Sequence, residues 1–589
     1  MRWLPKPFDA SKIAALAADL RDLPEFRKNE TATKTLAQLL LARGINTAEA
    51  AARFLNPSLD HLHSPYEMLG MTAAVERLEA AIQRKEDILI YGDYDADGTT
   101  AIVILKTAIE LLGGTADFHV PHRIRDGYGM KDDVIETAAA AGVHLIISVD
   151  TGIRAFDAAE TARRLGVDLI VTDHHLPGPE GVPHALAVLN PNQAGCPYPT
   201  KDLCGAGVAF KLTHALLEKA GRARLLPSFL KIVAIGTVAD SVPLVGENRV
   251  FAKLGLAGLR NPVNVGLKAL FEVSKLDGKR PLTATDLGFR IAPRINAAGR
   301  MDIAGTVVEL FATKDLARAQ EIAGRLDALN SERQDAERKI LGLIEQRFQE
   351  TPALLDTYCI VVDGDGWHRG VIGITATRIV ERHNRPTLVI SHEDGVAHGS
   401  GRSIHAFHLL NAVESCAELF SRFGGHAHAC GFAMPSHLVP ELRQRLDTFA
   451  RNCLTEADFV PTLEFETELP LNEVTPEFFQ ILQRLEPFGV GNSEPVFVAH
   501  ATKLSYPPRI IKEKHISLKL VQNGHRPLKA MGWRLAEQAE QAQLLTGDIL
   551  DIAFTLTHND HPDFGGLELV LCDFRKSKIE DAIPATIPA

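Results

Sequence analysis

The sequence has few cysteines and no paired cysteine motif. Its 589 residues include seven cysteines, none of which stands in a CxxC pair. An odd and sparse set of this kind argues against a disulfide framework and against a structural zinc site. We therefore expect most of the cysteines to be reduced core residues.

The sequence also lacks a long apolar run. No segment approaches the roughly 18 uncharged apolar residues that a membrane-spanning helix needs, and the start MRWLPKPFDA has no signal-peptide core. We predict a cytoplasmic protein that has no membrane partner and is a monomer.

Excess positive charge is absent as well. The formal net charge is −11, which gives the whole molecule no attraction for nucleic acid. Any binding of nucleic acid then requires a local basic surface. The charged and hydrophobic shares, 23% and 46%, are ordinary for globular chains, and the length predicts three or four domains.

The pattern along the chain predicts a multidomain α/β protein. Between about 85 and 190, short β-rich runs alternate with helical patterns, which is typical of βαβ units and a parallel sheet. The predicted divisions are a helical lead-in (1–55), a parallel-sheet domain (56–305), a long connecting helix (306–350), a smaller α/β domain (351–455) and a small antiparallel β-barrel with a C-terminal tail (456–589). The long helix rests on an approximate stripe of apolar residues: Leu316, Ile322, Leu326, Leu329, Ala336, Ile340 and Leu343.

Three carboxylates follow the first strand of the parallel-sheet domain. Asp93, Asp95 and Asp97 lie within five residues and repel one another unless a cation is present. The spacing matches the first half of an EF-hand loop, but such a loop needs Glu at its twelfth position, where this sequence has Ile104. A calcium loop is therefore disfavoured.

Two further strand ends carry the same chemistry. One strand runs into Asp150, and the next runs into Asp173, His174 and His175. Because ligands bind outside the carboxyl ends of parallel strands, we expect these loops to converge. Asp240 follows an apolar helical run and is a fourth candidate. Taken alone, it also fits a solvated helix end, and the two histidines also fit a core pair.

The candidate ligands are oxygen-rich, with imidazole and no thiolate. That set suits Mn²⁺ or Mg²⁺ better than zinc. One carboxylate, most simply Asp150, can bridge two ions about 4 Å apart, and such a pair promotes phosphoryl displacement by water. The sequence thus predicts a phosphodiesterase with two divalent ions.

The order of these motifs resembles the DHH phosphoesterase superfamily. DYDADG, VDTG, DHH and TVAD follow one another as in that superfamily. YGDYDADGTTA, IAPRINAAGRMD, HRGVIGI, GSGRSI and RFGGHAHACG further resemble the RecJ family of single-strand-specific exonucleases, over nearly the whole chain. The resemblance implies a DHH domain, a DHHA1-type domain and a C-terminal OB-fold.

The resemblance also implies a ligand set. Asp95, Asp97, Asp150, His174 and Asp240 would hold the metal pair and form the catalytic centre together with His175. Asp93 would be a neighbouring or additional ligand, and His175 would face the scissile phosphate. Many superfamily members have His four residues before the first ligand Asp, whereas this sequence has Tyr91. That departure weakens one metal position.

Glycine-rich turns and arginines are the candidates for binding substrate phosphates. Arg402 can grip a terminal phosphate through two hydrogen bonds. Each residue also has an ordinary interpretation as a loop or a salt-bridged surface residue. A zinc site in GGHAHAC is disfavoured, because ligands so close on one strand reach poorly around a tetrahedral ion. The candidates are Arg123, Arg294, Arg300, His368, Ser400, Arg402, Gly424, Gly425 and His426.

By resemblance, the predicted activity is 5′-to-3′ hydrolysis of single-stranded DNA to 5′-mononucleotides in recombination and repair. The substrate would carry a 5′ phosphate, and the partners would be a helicase and the single-stranded-DNA-binding protein. The barrel would bind the strand through aromatic and basic residues. Two alternatives are a DHH-type oligoribonuclease or small-nucleotide phosphatase with an appended barrel, and a non-catalytic replication scaffold. The barrel candidates are Lys503, Tyr506, Arg509, Lys512, Lys514, Lys519 and Trp533.

Overall fold

The computed structural model divides the chain into two compact units. One unit is Ser58–Val460, and the other combines Met1–Pro57 with Pro461–Ala589. Within the described part of the chain, no helix is both long enough and apolar enough to cross a membrane. The predicted C-terminal tail lies outside the described residues from 578 onwards. The described residues are 1–21, 30–123, 125–127, 129–276, 278, 280–301, 304–559, 561 and 565–577.

A five-stranded parallel sheet forms the centre of the first part of Ser58–Val460. The predicted alternation of strands and helices is confirmed. Both faces of the sheet are covered, because Ile88 and Ile90 pack into one apolar cluster and Leu89 and Tyr91 into another. In spatial order the strands are Thr115–His119, Asp87–Gly92, Leu145–Val149, Asp168–Thr172 and Ala187–Leu189.

The strand order reverses direction next to the first strand. From Asp87–Gly92 the chain passes to the edge strand Thr115–His119 and then returns to the other side, at Leu145–Val149. A crevice opens at such a switch point outside the carboxyl ends of the two central strands. The loops that leave those two ends begin with Asp93 and Asp150.

Helices surround this sheet and continue beyond it. Two of them, Ala96–Leu111 and Gly205–Lys219, pack against each other beside the switch point. The other described α-helices of this part are Met71–Arg84, Asp132–Ala140, Phe156–Leu165, Leu226–Ala239, Gly246–Leu259, Val265–Val273, Ala284–Asp286, Ala292–Met301 and Gly305–Ala312, with a π-helical turn at Leu287–Ile291.

The long helix, predicted over 306–350, is Leu316–Glu350, and the residues before it form a separate helix, Gly305–Ala312. The first half of the long helix contributes Ile322 and Leu326 to the core around the parallel sheet. Its second half contributes Ile340 and Ile344 to a separate cluster with the following domain. Leu316 and Leu343, which the sequence placed on the stripe, are about half exposed. One helix thus contributes to two apolar clusters.

A second five-stranded sheet follows the long helix. Its first two strands are parallel and the others antiparallel. The helices of this part are Ile372–His383, Leu409–Glu414 and Val439–Cys453. In spatial order the strands are Arg422–His426, Ala429–Pro435, Val396–Arg402, Thr387–Glu393 and Ile360–Asp365.

The other unit contains a closed five-stranded barrel. Two pairings close the ring, Phe497–Leu504 with both Ile549–Asn559 and His515–Val521. Leu528–Gly532 and Gly566–Lys576 complete the ring as its parallel pair. This connectivity is that of an OB-fold, so the predicted barrel is confirmed. Short strands Thr467–Glu468 and Arg509–Ile511 extend the sheet, and helices Pro476–Gln483 and Ala536–Gln541 pack beside it.

The N-terminal residues belong to the same unit as the barrel. Strand Arg2–Pro5 pairs with Thr462–Phe465, and helices Ala10–Arg21, Glu30–Leu41 and Ala48–Leu55 follow it. Their apolar residues share one cluster with the inner face of the barrel. The sequence prediction treated 1–55 only as a lead-in and did not anticipate that the two ends of the chain share a core.

Candidate active site

A histidine lies at the centre of the acidic cluster. The Nε2 atom of His174 is 3.2 Å from Oδ1 of Asp150 and 3.7 Å from Oδ2 of Asp240. It is also 4.0 Å from Oδ2 of Asp97. Three strand-end loops and one helix end therefore meet at one point, as the sequence predicted.

The backbone at Asp150 takes an uncommon conformation. Its φ of 59° lies in the left-handed region, which aspartate tolerates better than most residues. The side chain is almost fully buried, and a Cβ added at Gly205 would lie 2.5 Å from both its Cβ and its Oδ1. Gly205 is therefore required for the close approach of its helix to Asp150.

Two helix N-termini hold the carboxylates of the first loop. Asp95 caps the helix Ala96–Leu111, and its Oδ1 accepts hydrogen bonds from the amides of Asp97 and Gly98 at 2.9 and 3.0 Å. The carboxylate of Asp97 accepts from the amides of Gly205 and Ala206 at 2.6 and 2.9 Å. Both helix ends favour negative charge at this point.

Other carboxyls of the cluster lack such compensation. Burial, followed by the charge of Asp95, raises the pKa of Asp93 to about 8. Burial, followed by the charge of Asp97, raises the pKa of Asp240 to about 9 and that of Asp150 well above its usual range. Buried oxygens of Asp93 and Asp150 also accept no hydrogen bond from the described residues. The cluster therefore calls for a cation.

The second histidine has a different environment. The Nδ1 of His175 lies 2.7 Å from Oδ1 of Asp173. Asp173 is fully buried, and its Oδ2 accepts a hydrogen bond from the amide of Ile153. Burial would lower the pKa of His175, but the hydrogen bond to Asp173 and nearby carboxylates raise it to about 9. In the metal-free chain these contacts favour the charged form of His175.

Three groups of ligand atoms lie close enough together to hold an ion. In each group the ligand atoms lie within 4.8 Å of one another. Tyr91 belongs to none of these groups: it is buried and donates its hydroxyl to the carbonyl of Gly129. Among the described residues the groups are Asp93, Asp95 and Asp150; Asp97, His174 and Asp240; and Asp150, His174 and His175.

Comparison with known proteins places this geometry in a family. Three family models match: the DHH family, N-terminal domain (87–237), the DHHA1 domain (356–452) and the RecJ OB domain (465–573). The single-stranded-DNA-specific exonuclease RecJ of Escherichia coli (strain K12) is 36% identical over 518 residues, which cover 84% of this chain and 87% of the relative. The chain belongs to the RecJ family.

Further RecJ proteins are similar in sequence and structure. RecJ of Bacillus subtilis (strain 168) is 39% identical over 546 residues, covering 92% of this chain and 66% of that longer relative. The crystal structure of RecJ in complex with Mn²⁺ from Thermus thermophilus has a TM-score of 0.81 at 30% identity. That match covers 98% of this chain and 79% of the crystallised one.

Several RecJ-like candidates for phosphate binding form a cluster of cations. Burial, together with the charges of Arg123 and other arginines including Arg402, lowers the pKa of Arg300 to about 10. Arg300 donates to the carbonyl of Gly370 at 3.0 Å, and Arg402 donates to Oγ of Ser400 at 3.3 Å. Positive charge is thus concentrated close to Asp95. The negative charge of Asp95 acts in the opposite direction and raises the pKa of Arg300.

The other candidates are placed differently. Arg123 lies over the ring of Tyr94, 4.9 Å from its centroid. Arg294 forms a salt bridge with Asp327 of the long helix at 2.7 Å. This contact fits the alternative interpretation of Arg294 as a salt-bridged residue that does not bind phosphate. The Nδ1 of His368 accepts from the amide of Gly370.

The glycine-rich turn of the second sheet is open to solvent. Gly424, Gly425 and His426 are exposed on the edge strand Arg422–His426. The charge of Arg402 contributes, after burial and His428, to lowering the pKa of His426. Among the described residues, the groups with metal-binding geometry do not include the GGHAHAC segment.

The RecJ OB domain presents aromatic and basic side chains on its surface. Tyr506 and Trp533 are 55% and 56% exposed. The Nζ of Lys519 lies 5.0 Å from the ring centroid of Tyr506, and His515 packs edge-on against Trp533. This combination is suitable for stacking nucleic acid bases.

Sequence reasoning missed several residues that support the RecJ site. Asn190 donates its side-chain amide to the carbonyl of His175 at 2.9 Å, and Asn192 donates to that of His174 at 2.8 Å. The amides of Gly205 and Ala206 were missed as well. The sequence marks the two asparagines only by the segment LNPN at the last strand, and the two amides only by a glycine-rich helix start. Neither motif is specific.

Proposed function

We propose that this chain is a metal-dependent exonuclease that degrades single-stranded DNA from its 5′ end and releases 5′-mononucleotides. The observation that carries the proposal is the position of the His174 Nε2 atom, within 4.0 Å of three carboxylate oxygens at the switch point of the parallel sheet. Membership of the RecJ family, whose curated relatives bear the name of this activity, supports it.

The residues fit a pair of Mn²⁺ or Mg²⁺ ions. The donors are carboxylate and imidazole groups, which suit these metals. The thiol of Cys204 is nearby, but burial raises its pKa well above the usual range and it remains protonated. When bound, two such ions would activate water and stabilise the leaving oxygen. The proposed ligands are Asp95, Asp97, Asp150, His174 and Asp240, with Asp93 as a further candidate.

His175 supplies the proton chemistry of the chain itself. The carboxylate of Asp173 lies 2.7 Å from Nδ1 of His175. A charged imidazole beside a phosphodiester stabilises negative charge and can donate a proton to an oxygen. We assign this role to the imidazole of His175.

The cation cluster is the proposed site for the terminal 5′ phosphate. Arg300 and Arg402 are partly buried with like charges nearby, which lowers their pKa values and favours an anionic ligand. A pocket at a fixed distance from the metal ligands would set the 5′ polarity and the release of single nucleotides. The proposed contacts are Arg123, Arg300, His368, Ser400, Arg402, Gly424, Gly425 and His426, with Arg294 as the weakest member.

The OB domain completes the proposal. Its exposed aromatic and basic side chains would bind the strand beyond the cleaved end. A role in recombination and repair, a helicase and the single-stranded-DNA-binding protein as partners, a monomeric state and a cytoplasmic location remain predictions.

Degradation of labelled oligonucleotides tests the function. We expect hydrolysis of a 5′-phosphorylated single strand in Mn²⁺, with release of 5′-mononucleotides from the 5′ end and little cleavage of blunt duplex. Asp150→Ala should reduce the rate by roughly a thousandfold, because it removes the central carboxylate. The exposed Asp157 provides the matched control, and Asp157→Ala should retain wild-type rates.

Three outcomes would contradict the proposal. Full activity of Asp150→Ala would refute the site. A strong preference for a dinucleotide over a long strand, at equal phosphate concentration, would indicate the oligoribonuclease alternative. Strand binding without hydrolysis in either metal would indicate a scaffold.

A further inference from the structure

The helix Ala292–Met301 lies directly against the loop that carries the first carboxylates. A Cβ added at Gly299 would lie 2.2 Å from the carbonyl oxygen of Tyr94, so only glycine permits this approach. One turn earlier, Oδ1 of Asn296 accepts a hydrogen bond from the amide of Ala96 at 2.8 Å. The helix therefore supports the loop at two points.

The hydrogen bond from Ala96 completes the start of its helix. The first amides of a helix have no partner within the helix itself. Asp95 satisfies the amides of Asp97 and Gly98, and Asn296 satisfies that of Ala96. Ala96 is buried, so an unsatisfied amide there would be costly. Asn296 thus fixes the backbone between two proposed metal ligands.

The same hydrogen bond determines how the side chain is oriented. A backbone amide can only donate, so the oxygen of Asn296 must face Ala96 and the nitrogen must point away. Among the described residues Nδ2 has no hydrogen-bond partner, and it is not one of the buried unpartnered atoms. It is therefore an accessible donor beside the acidic loop.

The neighbouring residue on that helix face is positively charged. Asn296 and Arg300 are four residues apart, so they share a face of the helix. Arg300 donates to the carbonyl of Gly370, and Arg123 and Arg402 lie close enough to lower the pKa of Arg300. The free amide of Asn296 thus borders the cluster that attracts phosphate.

We propose that Asn296 positions the metal-binding loop through its carbonyl oxygen and donates from its amide nitrogen to a phosphate oxygen of the bound strand. It is then a substrate-positioning residue that links the metal ligands to the phosphate cluster. This inference rests on the proposed exonuclease function and adds a residue to it.

Two variants separate the two roles. Asn296→Asp keeps an oxygen for Ala96 but replaces the donor with a second carboxylate oxygen, which repels phosphate. Asn296→Ala removes both contacts. Binding of Mn²⁺ is measured by calorimetric titration without DNA, and kcat and KM are measured with a 5′-phosphorylated oligonucleotide. We expect Asn296→Asp to bind Mn²⁺ with an affinity no more than about threefold weaker than that of wild type. We expect its KM to be about tenfold higher.

We expect Asn296→Ala to weaken Mn²⁺ binding about tenfold and to raise KM as well. Asn264 is the matched control, because its Oδ1 caps a helix by accepting from Leu267 and its Nδ2 is bonded to the carbonyl of Phe311. Asn264→Ala should lower the melting temperature without changing KM or Mn²⁺ affinity.

The outcomes are distinguishable. A wild-type KM in Asn296→Asp would overturn the phosphate contact, and unchanged Mn²⁺ affinity in Asn296→Ala would overturn the positioning role. If Asn296→Ala does not fold, the KM of Asn296→Asp still decides the phosphate contact. If wild type does not degrade DNA, the proposed function fails, whereas the Mn²⁺ titration still decides the positioning role.

Discussion

At the scale of single residues, the site contains more negative charge than its surroundings stabilise. Asp93 and Asp240 are carboxyls whose pKa values rise to about 8 and about 9, mainly through burial. The carboxylate of Asp97 accepts hydrogen bonds from two helix amides. The carboxyls of one cluster thus differ in their hydrogen-bond partners, because helix amides bind Asp97 whereas one buried oxygen of Asp93 accepts no hydrogen bond from the described residues.

These shifts predict how the stability of the metal-free protein depends on pH. An unfolded Asp loses its proton near about pH 4, whereas Asp240 in the folded chain holds it to about 9. The folded state therefore binds more protons in this window, and stability falls as pH rises through it. His175, also raised to about 9, acts in the same direction. We expect the melting temperature in EDTA to fall between pH 6 and 9.

Added Mn²⁺ should raise the melting temperature more at pH 8 than at pH 6, because binding displaces protons. Asp240→Asn should stabilise the metal-free protein at pH 8 and reduce the effect of Mn²⁺. Asp157→Asn, at an exposed position, should change neither. A melting temperature in EDTA that increases with pH would contradict this account.

At the scale of elements, the start of the helix Gly205–Lys219 is the support that the site cannot lose. Its first amides bind Asp97, and its first residue touches Asp150. Gly205→Ala would place a methyl group 2.5 Å from that side chain, and the helix would have to move. We expect the rate of hydrolysis to fall about a hundredfold or more, with a weaker affinity for Mn²⁺.

The same helix offers a matched control. A Cβ at Gly207 would meet its nearest neighbours at 3.5 Å, an ordinary contact distance. Gly207→Ala should therefore retain activity. Equal rates for the two variants, measured on the same oligonucleotide, would show that the helix start does not position the site.

Elements also separate what the sequence can predict from what it cannot. The positions of Asp150 and His174 at strand ends were predictable, because hydrophobic runs locate the strands and parallel strands end at one edge. The contacts of Asn296 and Gly205 were not, because they join elements about 200 and 55 residues from Asp97 and Asp150, and no local pattern encodes that approach.

At the scale of the whole molecule, one compact unit combines two segments that are far apart in sequence, Met1–Pro57 and Pro461–Ala589. The helices of 1–55 were predictable from their composition, but their partner was not, because a shared core between distant segments leaves no local periodicity. Trp3 shows the connection. Its Nε1–H donates to Asp573 at 2.8 Å, and the guanidinium of Arg575 lies 4.5 Å from its ring centroid.

Because the apolar cluster of the barrel unit is separate from those of Ser58–Val460, we expect calorimetry to resolve at least two unfolding transitions. Trp3→Ala removes a hydrogen bond and a cation–π contact from one unit only. It should lower the melting temperature of that unit by roughly 5 °C and leave the other transition in place. Trp533→Ala, in the same unit but 56% exposed, should have little effect. If Trp3→Ala shifted both transitions equally, or neither, the N-terminal strand would not be part of that unit's stable core.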